Sequence, residues 1–240
     1  MPGSLACILS AGLTCAPAKV EVIEAPAPTP LTPADGDPPE PEKGEASMML
    51  AKVQTFYDGT KDLQADFKQT YIHPVYGTKK TSTGKLKALK PGKMIWDYEK
   101  SANPDFWVDG SQVWVVERDT KQVIKKDLGK SDIAGAEKFL FGGKQLTEDF
   151  KIKIAEEEYQ KRYGMEGHTA VRMRPKKKNP HYKELMLVID DATGRVDAFV
   201  VLNQDKSTNH FVLEGLARNG GLGAGDFKFK KPAGFTEIKE

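Results

Sequence analysis

Between Leu63 and Tyr71 the odd positions are largely apolar and the even ones polar: Leu63, Ala65, Phe67 and Tyr71 against Gln64, Asp66, Lys68 and Thr70. That period of two belongs to a strand with one face buried and one wet. It recurs along the chain. Strands are predicted at 81–89, 94–98, 106–108, 113–117, 122–128, 151–157, 169–174, 184–190, 195–203, 209–216 and 226–230. The breaks are turn signals: His73-Pro74, Lys90-Pro91-Gly92, Asn103-Pro104, Asp109-Gly110 and Asp191-Ala192-Thr193-Gly194. Such short connections leave no room for crossover helices, so the strands must pair antiparallel. A sheet of about eleven strands must close, stack on a second sheet, or curl around something.

Two helical patterns stand apart. After Ser47, a candidate N-cap, the apolar residues Met49, Val53, Phe56 and Tyr57 share one helical face, and Asp58-Gly59 ends the run. A second island follows Ser131-Asp132, with Ile133, Phe139 and Leu140 apolar and Gly142-Gly143 stopping it. A further short turn of helix fits near Leu146. Two helices of this size suit the plugging of an open, curled sheet. The expected class is therefore mainly β with a few α-helices.

The chain before the globular part is different. Residues 1–18 hold an apolar stretch from Leu5 to Leu13 and a small-x-small sequence, Ala16-Pro17-Ala18, which together read as a signal-like leader lacking its charged start. A lipid anchor at Cys7 or Cys15 is the alternative, against a poor match in the residues preceding each. Residues 19–46 read as an acidic, proline-rich linker. Eight of the fifteen prolines lie between Pro17 and Pro41, and proline with like charges favours an extended chain. The globular domain is then 47–240. Cys7 and Cys15 are the only cysteines, so that domain has no disulfide and no cysteine-bound metal.

Charge is informative by its distribution. Residues 1–46 carry two lysines and seven acids within a chain of net charge +2, which leaves the remainder mildly basic. The tight basic run Lys176-Lys177-Lys178 reads as a solvated turn, with a docking patch for an acidic partner as the alternative. Nothing resembles a nucleic-acid stripe.

Catalytic patterns are missing from the sequence. His73, His168, His181 and His210 show no metal-ligand spacing, and His210 reads as an edge or surface residue. The glycine-rich 220–225 stretch lies between two predicted strands, so no helix N-terminus stands ready for phosphate, and it reads as a flexible hairpin loop. Among the carboxylates, Asp66, Asp97 and Asp109 included, none is singled out as an acid–base pair. An enzyme is not expected, nor any cofactor or metal. What the strands do carry is apolar surface: Phe67, Met94, Trp96, Tyr98, Phe106, Trp107, Trp114, Met186 and Leu187. Periodicity alone leaves an ordinary core and a lined groove equally open.

Several of these segments resemble one family. Leu63-Gln64-Ala65-Asp66-Phe67-Lys68-Gln69 is similar to the opening strand of the outer-membrane lipoprotein carrier proteins, LolA. Lys90-Pro91-Gly92-Lys93-Met94-Ile95-Trp96-Asp97-Tyr98 resembles that family's basic-Pro-x-x-aromatic-x-Trp element. Phe106-Trp107-Val108-Asp109-Gly110 with Val113-Trp114-Val115 resembles its Val-Asp-Gly hairpin. Phe139-Leu140-Phe141-Gly142-Gly143 is similar to its lid-helix exit, and Phe227 to Pro232, continuing through Phe235, to its ending. The likeness covers about residues 48–238.

The resemblance implies a curved, incompletely closed antiparallel barrel with a helical lid, in the periplasm of a Gram-negative envelope; a monomer is expected, because a carrier must expose its mouth. The resemblance also implies a carrier that takes acylated lipoproteins from an inner-membrane ABC exporter and delivers them to an outer-membrane receptor. Phe67, Met94, Trp96, Tyr98 and Trp114 are the expected acyl-chain contacts. Met49, Val53, Phe56, Ile133, Phe139 and Leu140 are the expected lid residues. Lys90 falls where the family has an arginine that holds lid carbonyls. Lysine lacks the rigid planar fork of arginine, so a looser closed state is expected here. The proline-rich linker has no counterpart in this pattern. It favours a membrane-anchored receptor, or a lipid-binding envelope sensor, as the alternative.

Overall fold

The structure, a computed structural model, describes residues 43–99, 104–128, 146–180 and 182–239. Its frame is one open, curved sheet of twelve strands. In chain order these are β1 (Asp62–Ile72), β2 (Lys79–Leu89), β3 (Lys93–Tyr98), β4 (Asp105–Asp109), β5 (Gln112–Glu117), β6 (Gln122–Asp127), β7 (Phe150–Ile154), β8 (His168–Pro175), β9 (Tyr182–Asp190), β10 (Val196–Asn203), β11 (Thr208–Arg218) and β12 (Thr236–Lys239). Their order across the sheet is β12-β6-β5-β4-β3-β2-β1-β11-β10-β9-β8-β7. Every pairing is antiparallel except β12 with β6. The two ends do not meet, so the barrel stays open.

One face of this sheet forms the main core with helix α1 (Lys43–Asp58). Ala46, Met49, Leu50, Val53, Phe56 and Tyr57 are all buried in that core. Their spacing gives a continuous helical stripe, which is why the segment folds as an amphipathic helix against a sheet. Ser47 lies inside the helix rather than at its cap, because the helix begins at Lys43. A short helical turn, α2 (Leu146–Asp149), precedes β7. Ile133, Phe139 and Leu140 lie outside the described residues.

The opposite face carries a second, smaller core. Helix α3 (Glu157–Tyr163) lays Tyr159 and Tyr163 on Ala170, Met186, Val188, Ala198 and Val200. The sequence reading carried β7 on to Glu157 and missed this helix. Its signals are local: Glu157 and Glu158 in the first turn, Lys161 and Arg162 in the last, matching the helix dipole, and tyrosines four residues apart.

The C-terminal part also differs from expectation. Asp226–Lys230 is not a strand. Ala224–Phe227 forms a 3-10 turn, Phe227 is buried, and Phe229 stacks on Trp114 at 5.1 Å and meets Trp107 edge-on at 5.8 Å. The segment crosses the outer side of β3 and β4 before β12 pairs with β6. The glycine stretch ahead of it is no hairpin loop: the Asp62 carboxylate accepts the backbone N–H groups of Gly220 and Gly221 at 2.9 and 3.2 Å.

Candidate functional site

The concave face is aromatic. Phe67 on β1, Met94, Trp96 and Tyr98 on β3, and Phe199 and Phe211 on β10 and β11 all belong to the main core. The Phe67 ring lies 4.9 Å from both Trp96 and Tyr98, edge-on in each case. Trp96 is 5.4 Å from Phe211, which stacks on Phe199 at 4.6 Å. Edge-on and offset contacts of this kind are the favourable geometry for rings. Gly84 on β2 makes the space, since a Cβ there would stand 2.5 Å from Phe67 Cζ and 2.3 Å from the Asp97 carbonyl.

The few polar atoms among these rings are paired internally. The Trp96 indole Nε1–H donates to Met94 Sδ at 2.8 Å. The Tyr98 hydroxyl donates to Gln69 Oε1, and Gln69 Nε2 donates to Asn209 Oδ1, both at 2.7 Å. Gln69 and Asn209 are fully buried, and sequence reasoning passed over both, along with Phe199 and Phe211. For the two phenylalanines the signal was present as strand alternation. For Gln69, a polar residue on the apolar parity of β1 was the only hint.

Trp114 is the exception among the expected contacts. Val113 and Val115 face the core, so Trp114 must face away. It pairs with Trp107 across the hairpin on the outer face, under Phe229, with the Lys125 ammonium 5.5 Å from its ring centre. It is not a groove residue.

Phe67, Met94, Trp96 and Tyr98 expose 2% or less and share one buried core with the apolar stripe of α1. The attachment of α1 is polar at three points. Lys52 Nζ donates to the Asp191 carbonyl at 2.7 Å, in the β9–β10 turn. Lys90 Nζ donates to the Tyr57 carbonyl. Arg218 Nη1 donates to the Phe56 carbonyl at 3.1 Å, and its guanidinium sits 4.3 Å above the Phe56 ring. The last turn of α1 has no basic residue of its own, so its free carbonyls are met by cations from the sheet. Lys90 from the end of β2 and Arg218 from the end of β11 thus both meet carbonyls at the close of α1. Arg218 lies 162 residues from Phe56, and no local sequence pattern announces the contact.

Each of the three carboxylates named from the sequence has a partner of its own. Asp66 pairs with Lys85 and Asp97 with Arg118, while Asp109 accepts the N–H groups of Ser111 and Gln112. One cluster does combine His168, Asp190 and Asp197, with ligand atoms within 4.8 Å of one another. Arg195 already donates two hydrogen bonds to Asp197, and His168 Nε2 lies 2.8 Å from it. A dication would have to displace a guanidinium, so the group reads as a structural ion network. His210 is not at an edge: β11 lies between β1 and β10, and its ring packs 5.2 Å from Tyr163. The buried Arg172, over Tyr159, joins Glu184 and Glu156 on that outer face.

Residues 58–230 match the family model described as outer membrane lipoprotein carrier protein LolA. An outer-membrane lipoprotein carrier protein of Cupriavidus necator is 24% identical over 192 residues, covering 79% of this chain and 87% of the relative. One from Chromobacterium violaceum is 29% identical over 106 residues, covering 44% of this chain and 50% of the relative. Among solved structures, an uncharacterized conserved protein from Thermus thermophilus has a TM-score of 0.52 at 12% identity, covering 81% of this chain and 99% of that one.

Proposed function

The chain belongs to the outer-membrane lipoprotein carrier family, and from that premise we propose that it is a periplasmic carrier that shelters the acyl chains of lipoproteins in its concave face. The observation that carries this reading is the aromatic wall of Phe67, Met94, Trp96, Tyr98, Phe199 and Phe211 under a helix whose end is tied by only a few polar contacts. In this reading Met49, Val53 and Phe56 form the underside of the lid, and acyl chains replace them on the wall when α1 lifts. No helix among the described residues is long and apolar enough to cross a membrane.

The energetics suit a carrier. Burying a methylene is worth about 0.8 kcal/mol, so a chain of about sixteen carbons gains roughly 12 kcal/mol gross. A membrane offers it nearly the same. Lifting α1 exposes its apolar stripe and the wall, and that cost offsets the gain from the ligand. The carrier then holds its cargo weakly enough to release it and needs no nucleotide of its own. Its cargo would come from an inner-membrane ABC exporter and leave to an outer-membrane receptor.

The test is release. The protein is mixed with inner-membrane vesicles that contain a triacylated lipoprotein and its exporter, and the soluble fraction is assayed for a one-to-one complex. A soluble complex, lost when Phe211 and Trp96 are both replaced by polar residues, supports the carrier. No complex, with the exporter active on another carrier, rejects it. The proline-rich sequence that precedes Lys43, behind Cys7 and Cys15, supports a second reading, an anchored receptor. That reading requires an acyl group on one of these cysteines in protein from its native host.

A further inference from the structure

The β1–β2 hairpin extends past the end of β3, while β1 stays paired with β11 as far as Ile72 with Thr208. Its strands pair in register from Asp62 with Leu89 out to Ile72 with Lys79, whereas the pairing of β3 with β2 ends at Gly84 with Tyr98. At its tip, Val75 and Tyr76 are 77% and 78% exposed, the most exposed large apolar side chains among the described residues. Yet the N–H groups from His73 to Gly77 are paired within the turn. His73 Nδ1 accepts the N–H groups of Val75 and Tyr76 at 3.2 and 3.4 Å. The Gly77 N–H donates to the His73 carbonyl and the His73 N–H to the Thr78 carbonyl, both at 3.0 Å. Pro74 has no N–H to satisfy.

From Phe67 to Trp96 the chain carries charge of one sign. Between Asp66 and Asp97 there are seven lysines and no acid. Lys85, Lys90 and Lys93 are engaged by Asp66 and by the Tyr57 and Asp109 carbonyls. Lys68, Lys79 and Lys80 stand exposed on the arm. The sheet register brings more lysines to the same end. Ile72 pairs with Thr208, which follows the turn holding exposed Lys206, and Asn203 pairs with Tyr182, which follows the turn holding exposed Lys177 and Lys178. The acids at this end are Glu99, held by the Thr83 hydroxyl across from Lys68, Asp205, already bound by Ser207, and Glu148 and Asp149 on α2.

We propose that this tip is a docking element for an anionic lipid surface, distinct from the groove. Val75 and Tyr76 enter the headgroup layer, and the lysines meet lipid phosphates. Three physical points favour a membrane as occupant. Backbone N–H groups that are already paired can leave water without an unpaired-donor penalty. Tyrosine beside an aliphatic residue suits the boundary between headgroup and acyl chain. An arm whose stretch from Phe67 to Trp96 carries lysines and no acid suits an anionic surface, to which basic residues are drawn until salt screens them. The tip lies at the opposite end of β1 from Tyr57 and the close of α1, so docking leaves the latch untouched. The proposal does not depend on the carrier reading.

The experiment uses the full unmodified chain, without an acyl group on Cys7 or Cys15, and vesicles of phosphatidylethanolamine with phosphatidylglycerol against phosphatidylcholine alone. Co-sedimentation is measured, with binding of a fluorescent acyl probe in the same samples. The chain is expected to sediment with the anionic vesicles and not the neutral ones, less so as salt rises. Replacing both Val75→Asp and Tyr76→Asp, or both Lys79→Glu and Lys80→Glu, should weaken sedimentation about tenfold or more while probe binding is unchanged. Equal binding to both vesicle types, or full binding by the Val75/Tyr76 variant, overturns the proposal. So does a variant that keeps its vesicle binding but loses a soluble protein partner, which would make the tip a protein contact. Loss of probe binding in the tip variant also overturns it, since the tip would then belong to the groove. Failure of the parent chain to bind the acyl probe, with anionic sedimentation intact, would instead count against the carrier.

Discussion

The backbone of Lys52 occupies the place where a side chain on Gly194 would begin: a Cβ at Gly194 would stand 2.4 Å from the Lys52 carbonyl carbon. Helix α1 therefore rests directly on the bare turn between β9 and β10, and Lys52 Nζ reaches the Asp191 carbonyl in that same turn. Gly194 has φ of +78°, which adds strain to any replacement. Gly194→Ala should lift the middle of the helix and destabilise the fold by about 2 kcal/mol or more. The same change should speed uptake of a fluorescent acyl probe. A drop in melting temperature without faster uptake would mean that α1 does not gate the wall.

The latch at the other end of α1 is shared. Lys90 takes the Tyr57 carbonyl and Arg218 the Phe56 carbonyl. Hydrogen bonds from charged donors are worth roughly 1.5–3 kcal/mol, so Lys90→Met and Arg218→Met should each destabilise the closed helix by about that much. Because the Arg218 guanidinium already meets the Phe56 carbonyl, Lys90→Arg should change little. Hydrogen exchange of the α1 amides checks this: protection should fall in both methionine variants, most in the double, and hold in Lys90→Arg.

The wall depends on Gly84. A methyl group there meets Phe67 Cζ and the Asp97 carbonyl at once. Gly84→Ala should push the Phe67 ring off Trp96 and Tyr98, at about 1–3 kcal/mol for an overpacked site. Acyl-probe affinity should fall with it, because Phe67 is the ring that touches both neighbours. Denaturant midpoints and probe titrations on the same preparation separate the two effects.

Much of this architecture can be read in the sequence, for a physical reason. Strands such as β1, β2 and β11 are half buried, and half-burial writes a period of two that turn residues then punctuate, while β9 and β10, buried on both faces, read as apolar runs. The reading fails where the same letters serve another end. Phe227-Lys228-Phe229 alternates like a strand, but Phe229 uses that alternation to cover Trp107 and Trp114 from outside. By residue type Trp114 reads as a groove residue, but Val113 and Val115 beside it fix its parity the other way. Helix α3 is too short to show a long period and was absorbed into a strand. The latch is harder still. Neither Lys90 nor Arg218 differs locally from any surface cation; only the sheet register brings Arg218 beside the end of α1.

Two histidines should shape the acid limb of stability in opposite senses. The His210 ring sits against Tyr163 with its Nε2 buried and unpaired. Burial first, and the Arg162 charge second, push its pKa down from 6.5 to about 4. The unfolded chain then takes the proton more readily, so this site's contribution is complete above pH 6.5 and drains away as the pH falls toward about 4. For His168, burial alone would depress the pKa. The Asp197 hydrogen bond, the Glu166 carbonyl and the charges of Asp197 and Asp190 outweigh it, and the net shift is upward. Its contribution is present below pH 6.5 and fades as the pH rises through the raised value. His210→Phe should therefore flatten the loss of stability on acidification and, by removing an unpaired buried nitrogen, raise neutral stability by about 1 kcal/mol. His168→Asn should do the reverse and steepen the acid loss. Denaturant midpoints followed from neutral pH down to about pH 4 test both. Parallel curves for His210→Phe and the parent would show that the imidazole does not titrate there as its burial requires.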